Sequence, residues 1–383
     1  MATIPEALDI QRVSVLPKSP LGSKNHPLTV LNHCKNVLKR PAHISGPMVR
    51  YSKLPFRATV RHFDCDIVYS PMILAREFVR NLMARDSDFT TNKDDTCLIV
   101  QVGANNVEDI TKVAEMLMPY VDGIGINCGC PIKEQVREGI GAALMQSPDL
   151  VADMVRAVKQ RCGPEFCVEV KMRIHHDLEE TVRWAKTVEA AKPDIITVHG
   201  RRKSQRSSEP PNFDAIKLVK DTITSIPVVA NGDCFSMEDC NRIAQITGCD
   251  GVMSARGILS NPAIFGGYGS TPWSAIELFW DYVTSYGLPF RLTQHHFSEM
   301  MEKELSRKER RSMNECTQLV HLIDWFDKRF ALKRKGEPGF ATESEWPWKA
   351  TRESFLIEEG LIELTDNIKA TLNLSNSNIA DSD

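Results

Sequence analysis

Residues 226–257 read IPVVANGDCFSMEDCNRIAQITGCDGVMSARG, and this stretch decides the fold. Two short apolar runs, Pro227–Ala230 and Gly251–Ser254, have the length and composition of buried strands. Between them Ser236 with Asp239 makes a helix-starting pair, and Gly248 is a natural terminator, so a helix joins the two strands. Each strand ends in a glycine-containing tripeptide, Asn231-Gly232-Asp233 and Ala255-Arg256-Gly257.

The same alternation recurs upstream. Further β-type runs stand at Ile44–Val49, Asp66–Pro71, Cys97–Val102, Gly123–Asn127, Cys167–Met172 and Ile195–His199, which makes eight in all. The helices between them carry their own signals. Ser147-Pro148 opens one whose apolar stripe is Leu150, Val151, Met154, Val155 and Val158, and Gly163 closes it. Asn106 with Asp109 opens another. Eight βα units imply an α/β fold, a (β/α)8 TIM barrel with one parallel sheet closed on itself. Past residue 272 the β-type runs stop and helical stripes take over, such as Phe297, Met300, Met301 and Leu305. The expected layout is an N-terminal extension over 1–40, a catalytic barrel over 41–270, a smaller all-helical C-terminal domain over 271–345 and a tail over 346–383.

Composition narrows the function. At 383 residues and 42% hydrophobic content, the chain can bury a large core. Its eleven cysteines are odd in number and scattered, unlike a secreted disulfide framework, and point to reduced thiols in an intracellular, soluble protein of the cytoplasm or nucleus. With no CxxC pair and no HExxH, no structural metal is expected. Nor does any apolar run approach the roughly 18 residues of a membrane helix. A net charge of −3 gives no whole-chain affinity for nucleic acid, so any such affinity must come from a local face. Candidates are Arg307, Lys308, Arg310 and Arg311, then a second basic run over 328–335 interleaved with aromatics. Solvated helix faces are the competing reading.

In such barrels the active site lies at the C-terminal ends of the strands, and phosphate is commonly held after strands seven and eight. The two tripeptides stand there, offering close-approach glycines and a guanidinium. Other strand ends are polar where a core would be apolar: Gln101, Asn127, Lys171 with Arg173, and His199 with Arg201. Lys171 either pairs with Glu169, which shares its face by alternation, or serves an anionic group in the site. Cys130 lies just beyond strand four in Asn127-Cys128-Gly129-Cys130-Pro131, on a loop facing that site, whereas Cys128 packs inward. A thiol's ordinary pKa near 8.5 leaves it mostly protonated at neutral pH, so a cysteine can act as a general acid where an aspartate would already be ionised.

In order along residues 42–335, several motifs resemble the tRNA-dihydrouridine synthase family. They are Gly46-Pro47-Met48-Val49-Arg50-Tyr51-Ser52-Lys53-Leu54-Pro55-Phe56-Arg57, the Asn127–Pro131 segment with Gly139-Ile140-Gly141-Ala142-Ala143-Leu144-Met145, Lys171-Met172-Arg173, His199-Gly200-Arg201 and Asn231-Gly232-Asp233. By that resemblance, Pro47, Met48 and Val49 lie against an FMN ring, and Gln101 and Lys171 bond its pyrimidine edge. His199, Asn231, Gly232, Asp233, Ala255 and Arg256 serve its ribityl chain and phosphate. Cys130 matches the catalytic acid and Asn127 the amide that orients the substrate, while Arg173, Arg201 and the basic helical residues become contacts to tRNA. The reductant implied is NADPH or NADH, visiting transiently, because no GxGxxG fingerprint follows a strand. The first motif and the Asn-Cys-Gly-Cys-Pro form look most like the eukaryotic class acting at positions 20a and 20b of the D-loop. The stretch from Arg202 to Ser208 departs from the usual Thr-containing continuation after His-Gly-Arg. Two rivals remain: a flavin barrel reducing a small alkene or free pyrimidine, and an idle flavin-containing RNA-binding protein. A monomer is expected.

Overall fold

The computed structural model describes residues 16–349. Eight parallel strands form the barrel: β1 Ala42–Ser45, β2 Ile67–Tyr69, β3 Leu98–Gly103, β4 Gly123–Cys128, β5 Cys167–Arg173, β6 Ile195–His199, β7 Val228–Asn231 and β8 Gly251–Ser254. Sequential neighbours pair throughout, and β1 pairs β8 with Ile44 opposite Met253, so the sheet has no free edge. A two-residue strand, Ile73–Leu74, adds to the far end of β3 with Ile73 opposite Val102. The (β/α)8 fold expected from the sequence is therefore the fold observed.

The first strand ends four residues earlier than its apolar run implied. Pro47 lacks an N–H for the ladder, and the chain turns at once. Ser52 Oγ accepts from Met48 N at 3.0 Å and donates to Gly46 O at 3.2 Å, while Arg50 takes a positive φ of 69°. Helix starts behave mostly as read: Asn106 Oδ1 accepts from Asp109 N at 2.8 Å and Ser236 Oγ from Asp239 N at 3.1 Å. Gly248 ends its helix at φ 65°. Ser147 differs. Its ψ of 61°, set by the 3-10 turn over Gly141–Gln146, carries its hydroxyl away from the helix N–H groups and it makes no cap bond.

Period-two alternation divides the strands between two cores. Outward residues such as Val68, Val100, Ile126, Val170 and Val198 pack against the helices, and so does Cys128, which is buried but on the outer face of the sheet and not toward the barrel interior. Inward residues Ile44, Ile67, Tyr69, Ile99, Cys167, Ile195, Val229 and Met253 fill the barrel, together with Leu31 and Cys34 of the helix Pro27–Asn36, which covers the end where the strands begin. Toward the other end the inward positions turn polar, with Gln101, Asn127, Glu169, Lys171, Thr197, His199 and Asn231 in place of aliphatics. Nine of the eleven cysteines are buried, and Cys130 and Cys316 are half-buried.

Helix Trp273–Tyr286 packs on helix Leu54–Arg61 beside β1 and also opens the C-terminal helical part, with Phe290–Met300, Arg307–Glu315 and Leu319–Arg329. An aromatic cluster holds this part together. Phe297 lies 4.7 Å from Trp280 and 4.8 Å from Phe326, centroid to centroid. His296 joins it to the first motif, bonding Tyr51 O at 3.1 Å and stacking on Phe56.

Arg57 of that motif is 1% exposed and has three partners: Ser52 O at 2.7 Å, Thr90 O at 2.7 Å, and Asp95, whose Oδ2 it meets in an ion pair at 2.5 Å. Burial alone would raise the Asp95 carboxyl, but the guanidiniums of Arg57 and Arg61 outweigh it and hold it down at about 2. Its folded pKa lies below its unfolded value, so its contribution is present above roughly pH 4 and is lost as pH falls through about 2. Arg57→Met leaves the buried Asp95 carboxylate with Arg61 as its remaining cation and is expected to cost about 3 kcal/mol. Urea unfolding at neutral pH checks this, and a loss below about 1 kcal/mol would show the pair to be effectively solvent-screened.

Candidate active site

The loops after β7 and β8 are pressed together. A Cβ on Gly257 would fall 2.1 Å from Cys234 O, and one on Gly232, whose φ is 147°, would fall 2.9 Å from Pro211. Between these loops lies a cavity of about 230 Å³ lined by His199, Arg201, Asn231, Gly232, Asp233, Ala255 and Arg256. That volume is below the roughly 300–1,000 Å³ of pockets enclosing a whole ligand, and suits the phosphate end of one. Asp233 fixes both guanidiniums: Arg256 Nη2 bonds Oδ1 at 2.5 Å and Arg201 bonds Oδ2. Phe235 lies beneath Arg256, 5.2 Å from its guanidinium carbon. Burial, and the charges of Lys171, Arg173, Arg201 and Arg256, push the His199 imidazole far below its usual range, so it stays neutral and Nε2 can accept.

The Cys130 loop is held from three sides. Asn127 Oδ1 accepts from Gly129 N at 3.0 Å and Cys130 N at 2.8 Å. Arg173 Nε donates to Gly129 O at 2.6 Å and Nη1 to Arg202 O at 3.0 Å. From behind, Ala142 N donates to Cys130 O at 2.9 Å, and a Cβ on Gly141 (φ 64°) would fall 2.7 Å from that oxygen. The Gly-Ile-Gly-Ala motif thus supports the thiol's loop. Asn127 and Arg173 both act here first as braces: Asn127 also gives one Nδ2 hydrogen to Gln101 Oε1 at 2.7 Å and keeps one uncommitted.

Lys171 joins the two halves of the site. Its ammonium donates to Asn231 Oδ1 at 2.8 Å, and Asn231 Nδ2 to Met253 O at 3.0 Å. Lys171 thus turns toward the mouth, and among the described residues it forms no ion pair with Glu169. Gln101 Nε2 is buried with no partner, a donor left facing the same end. Pro47 and Met48 are half-buried and Val49 is 45% exposed on the turn beyond β1. Four cations (Lys171, Arg173, Arg201, Arg256) and one carboxylate (Asp233) make this end locally positive in a chain of net charge −3.

These features fit an FMN. Arg256 and Arg201 can take its phosphate, glycines admit the close backbone approach, and the orphan Gln101 amide with the Lys171 ammonium can meet the carbonyls of a pyrimidine edge. Sequence reasoning missed Gln205, Ser207, Phe235 and Met253, which also line the cavity. Only the loop between β6 and the helix Phe213–Thr222 brings the first two there, and no local pattern marked them.

The basic helical residues are less free than their count implied. Arg310 pairs with Glu302 at 3.1 Å, Arg311 with Glu315 at 3.3 Å, and Lys308 also has a partner. In the second run, Arg329 is 2% exposed with its guanidinium 4.0 Å over Trp325, and Arg334 pairs with Asp327 at 2.8 Å. By contrast, no ion pair among the described residues involves Arg202, Lys203 or Arg206, on the loop that Arg201 ties to the cavity between the β7 and β8 loops through Glu209 O at 2.6 Å.

A family model described as dihydrouridine synthase matches residues 43–358. The chain is 51% identical over 341 residues to the tRNA-dihydrouridine(20a/20b) synthase (NAD(P)+) of Saccharomyces cerevisiae, covering 88% of this chain and 93% of the relative. It is 49% identical to the protein of the same name in Schizosaccharomyces pombe (79% and 92% covered) and 44% identical to a Homo sapiens protein named as similar to that synthase (76% and 91% covered). A match running from β1 through the last helix, on a barrel whose thiol loop and the cavity between the β7 and β8 loops share one mouth, leaves one assignment: the chain belongs to the dihydrouridine synthase family.

Proposed function

We propose that this chain reduces the C5=C6 bond of uridine in tRNA to 5,6-dihydrouridine, at positions 20a and 20b of the D-loop, with FMN as resident cofactor, NADPH or NADH as reductant and Cys130 as proton donor. The observation that carries this reading is the Lys171–Asn231 bond, which joins the thiol's half of the mouth to the phosphate pocket. The relatives' names supply the position and the nicotinamide.

When bound, the flavin supplies the hydride for C6. The protein's residues do the rest. Arg256, Arg201 and Gly232 would hold the phosphate, with Asp233 fixing both guanidiniums. His199, Asn231 and Ala255 would serve the ribityl chain, Gln101 and Lys171 the pyrimidine edge, and Pro47, Met48 and Val49 the ring. Hydride arriving at C6 leaves negative charge on C5 and the C4 oxygen, and the Cys130 thiol delivers its proton to C5. The uncommitted Asn127 N–H can meet the substrate, while Arg173 keeps the loop in place.

A uracil must leave its stack to enter the mouth, so the flanking backbone crosses the rim. Arg202, Lys203 and Arg206 are available there, and Arg307, Lys308, Arg310 and Arg311 extend the contact along the helical part. Lys203→Glu with Arg206→Glu is expected to weaken tRNA binding about tenfold at moderate salt and flatten its salt dependence, with FMN content unchanged. Filter binding over a salt series reads both, and identical slopes would remove this loop from the contact. The protein is read as a monomer acting inside the cell. No helix among the described residues is long and apolar enough to cross a membrane.

Mass spectrometry of an unmodified tRNA incubated with the protein, FMN and NADPH tests the whole reading. Two hydrogens gained at 20a and 20b are expected. Reduction of free uracil or a small alkene but not of tRNA would favour the small-molecule reductase, and binding without reduction the idle protein.

A further inference from the structure

Glu169 lies inside the barrel, one inward position below Lys171 on β5, and is fully excluded from solvent. Neither carboxyl oxygen makes a well-formed hydrogen bond, nor does Thr197 Oγ1 on the neighbouring strand β6, although that hydroxyl is near enough to favour the carboxylate. The barrel has made room for it. Gly125, its partner in register on β4, has no side chain, and a Cβ there would fall 2.4 Å from Glu169 Oε2, with Ile99 and Tyr69 carbons at 3.4 Å. A niche shaped around a carboxyl with no well-formed bond is costly: leaving a polar group poorly paired in an interior loses up to a few kcal/mol, and an ionised one more.

The groups around it decide its charge. β2 presents the Tyr69 phenol, the residue just before β3 the Cys97 thiol, β3 Ile99, β4 Gly125 with the Cys128 thiol on its outer face, β5 Cys167 and Lys171, and β6 Thr197. Burial pushes the phenol and the three thiols up, so all four are neutral. Lys171 is therefore the nearest charge, and its ammonium is turned away toward Asn231. Burial likewise lifts the Glu169 carboxyl above the usual carboxylate range, while burial and the nearby Arg173 charge lower the Lys171 ammonium from its ordinary value and a Glu169 carboxylate opposes that lowering.

Resting on the flavin reading above, we propose that Glu169 is a positioning residue whose protonation sets the net charge Lys171 presents to the flavin's pyrimidine edge. As the neutral acid it leaves the lysine's charge whole, which favours an anionic reduced ring. As the carboxylate it cancels that charge from below. The reductase thereby loses part of its driving field on the alkaline side of neutrality.

The test is the pH dependence of FMN binding and of the flavin midpoint potential in the FMN-loaded protein, native and Glu169→Gln. Glutamine keeps the shape and cannot ionise. The profiles are expected to coincide near pH 6, within the range where a lifted carboxyl is still protonated, and to diverge toward about pH 9. There the native protein should hold the reduced cofactor roughly tenfold more weakly than the variant. Superimposable profiles overturn the proposal, because the titrating group would then be Lys171 or the flavin itself. If the variant fails to fold, infrared spectra of the native protein decide: a buried carboxylic-acid C=O band present at neutral pH and lost on alkalinisation is expected, and a carboxylate throughout overturns it. Failure of both proteins to take up FMN defeats the flavin reading and this inference with it, whereas normal uptake with identical profiles defeats this inference alone.

Discussion

Cys130→Ala is expected to give a protein that binds FMN in full and is reduced by NADPH at the native rate, yet forms dihydrouridine in tRNA some 10²–10⁴-fold more slowly. The backbone around the thiol is fixed by Asn127, Arg173 and Ala142 through main-chain atoms, which alanine retains. The variant therefore removes a proton and little else. Rapid-mixing spectroscopy separates the two half-reactions, and a variant turning over tRNA at the native rate would transfer the proton-donor role elsewhere.

Gly257→Ala should act on the opposite half. The added carbon would meet Cys234 O at 2.1 Å, Phe235 Cα at 2.8 Å and Ser254 Oγ at 2.9 Å. Two of these are backbone. The third is pinned, since Ser254 Oγ donates to Cys234 O at 2.7 Å and accepts from Ile258 N at 3.1 Å. No rotamer relieves the clash, so the loops after β7 and β8 must part and carry Arg256 away from Asp233. A loss of about 3 kcal/mol is expected, at the upper end of overpacking costs, together with most of the bound flavin. Thermal unfolding and the flavin absorbance after gel filtration measure these two effects. A variant that keeps its full flavin would show that the two loops are not jointly required.

How much was legible beforehand depended on whether the signal was local. The barrel was legible because each βα unit carries its own punctuation: Asn106 and Ser236 cap their helices as their spacing implied, and Gly248 closes one in the left-handed region where only glycine is at ease. Strand β1 was overrun because Met48 and Val49 continue an apolar run into a turn that Pro47 and Ser52 impose. The helix Pro27–Asn36 escaped notice because its buried face rests on strand ends from around the whole barrel, and a weak stripe suffices where the partner surface is so large. The basic run over 328–335 read as an open face, but Arg329 turned out to lie against Trp325 in the helical core.

The closed barrel, the end where its strands turn polar and the residue types gathered there were all readable along the chain, because period, caps and strand-terminal polar residues are short-range properties. What each of those residues is bound to came only with folding. Lys171 bonds Asn231, sixty positions away, rather than Glu169 two positions away, since closing the sheet sets the distance across the mouth and alternation alone fixes only which side of the strand a group is on. That same closure seals Glu169 beneath the site without a well-formed hydrogen bond, a circumstance no window of sequence contains.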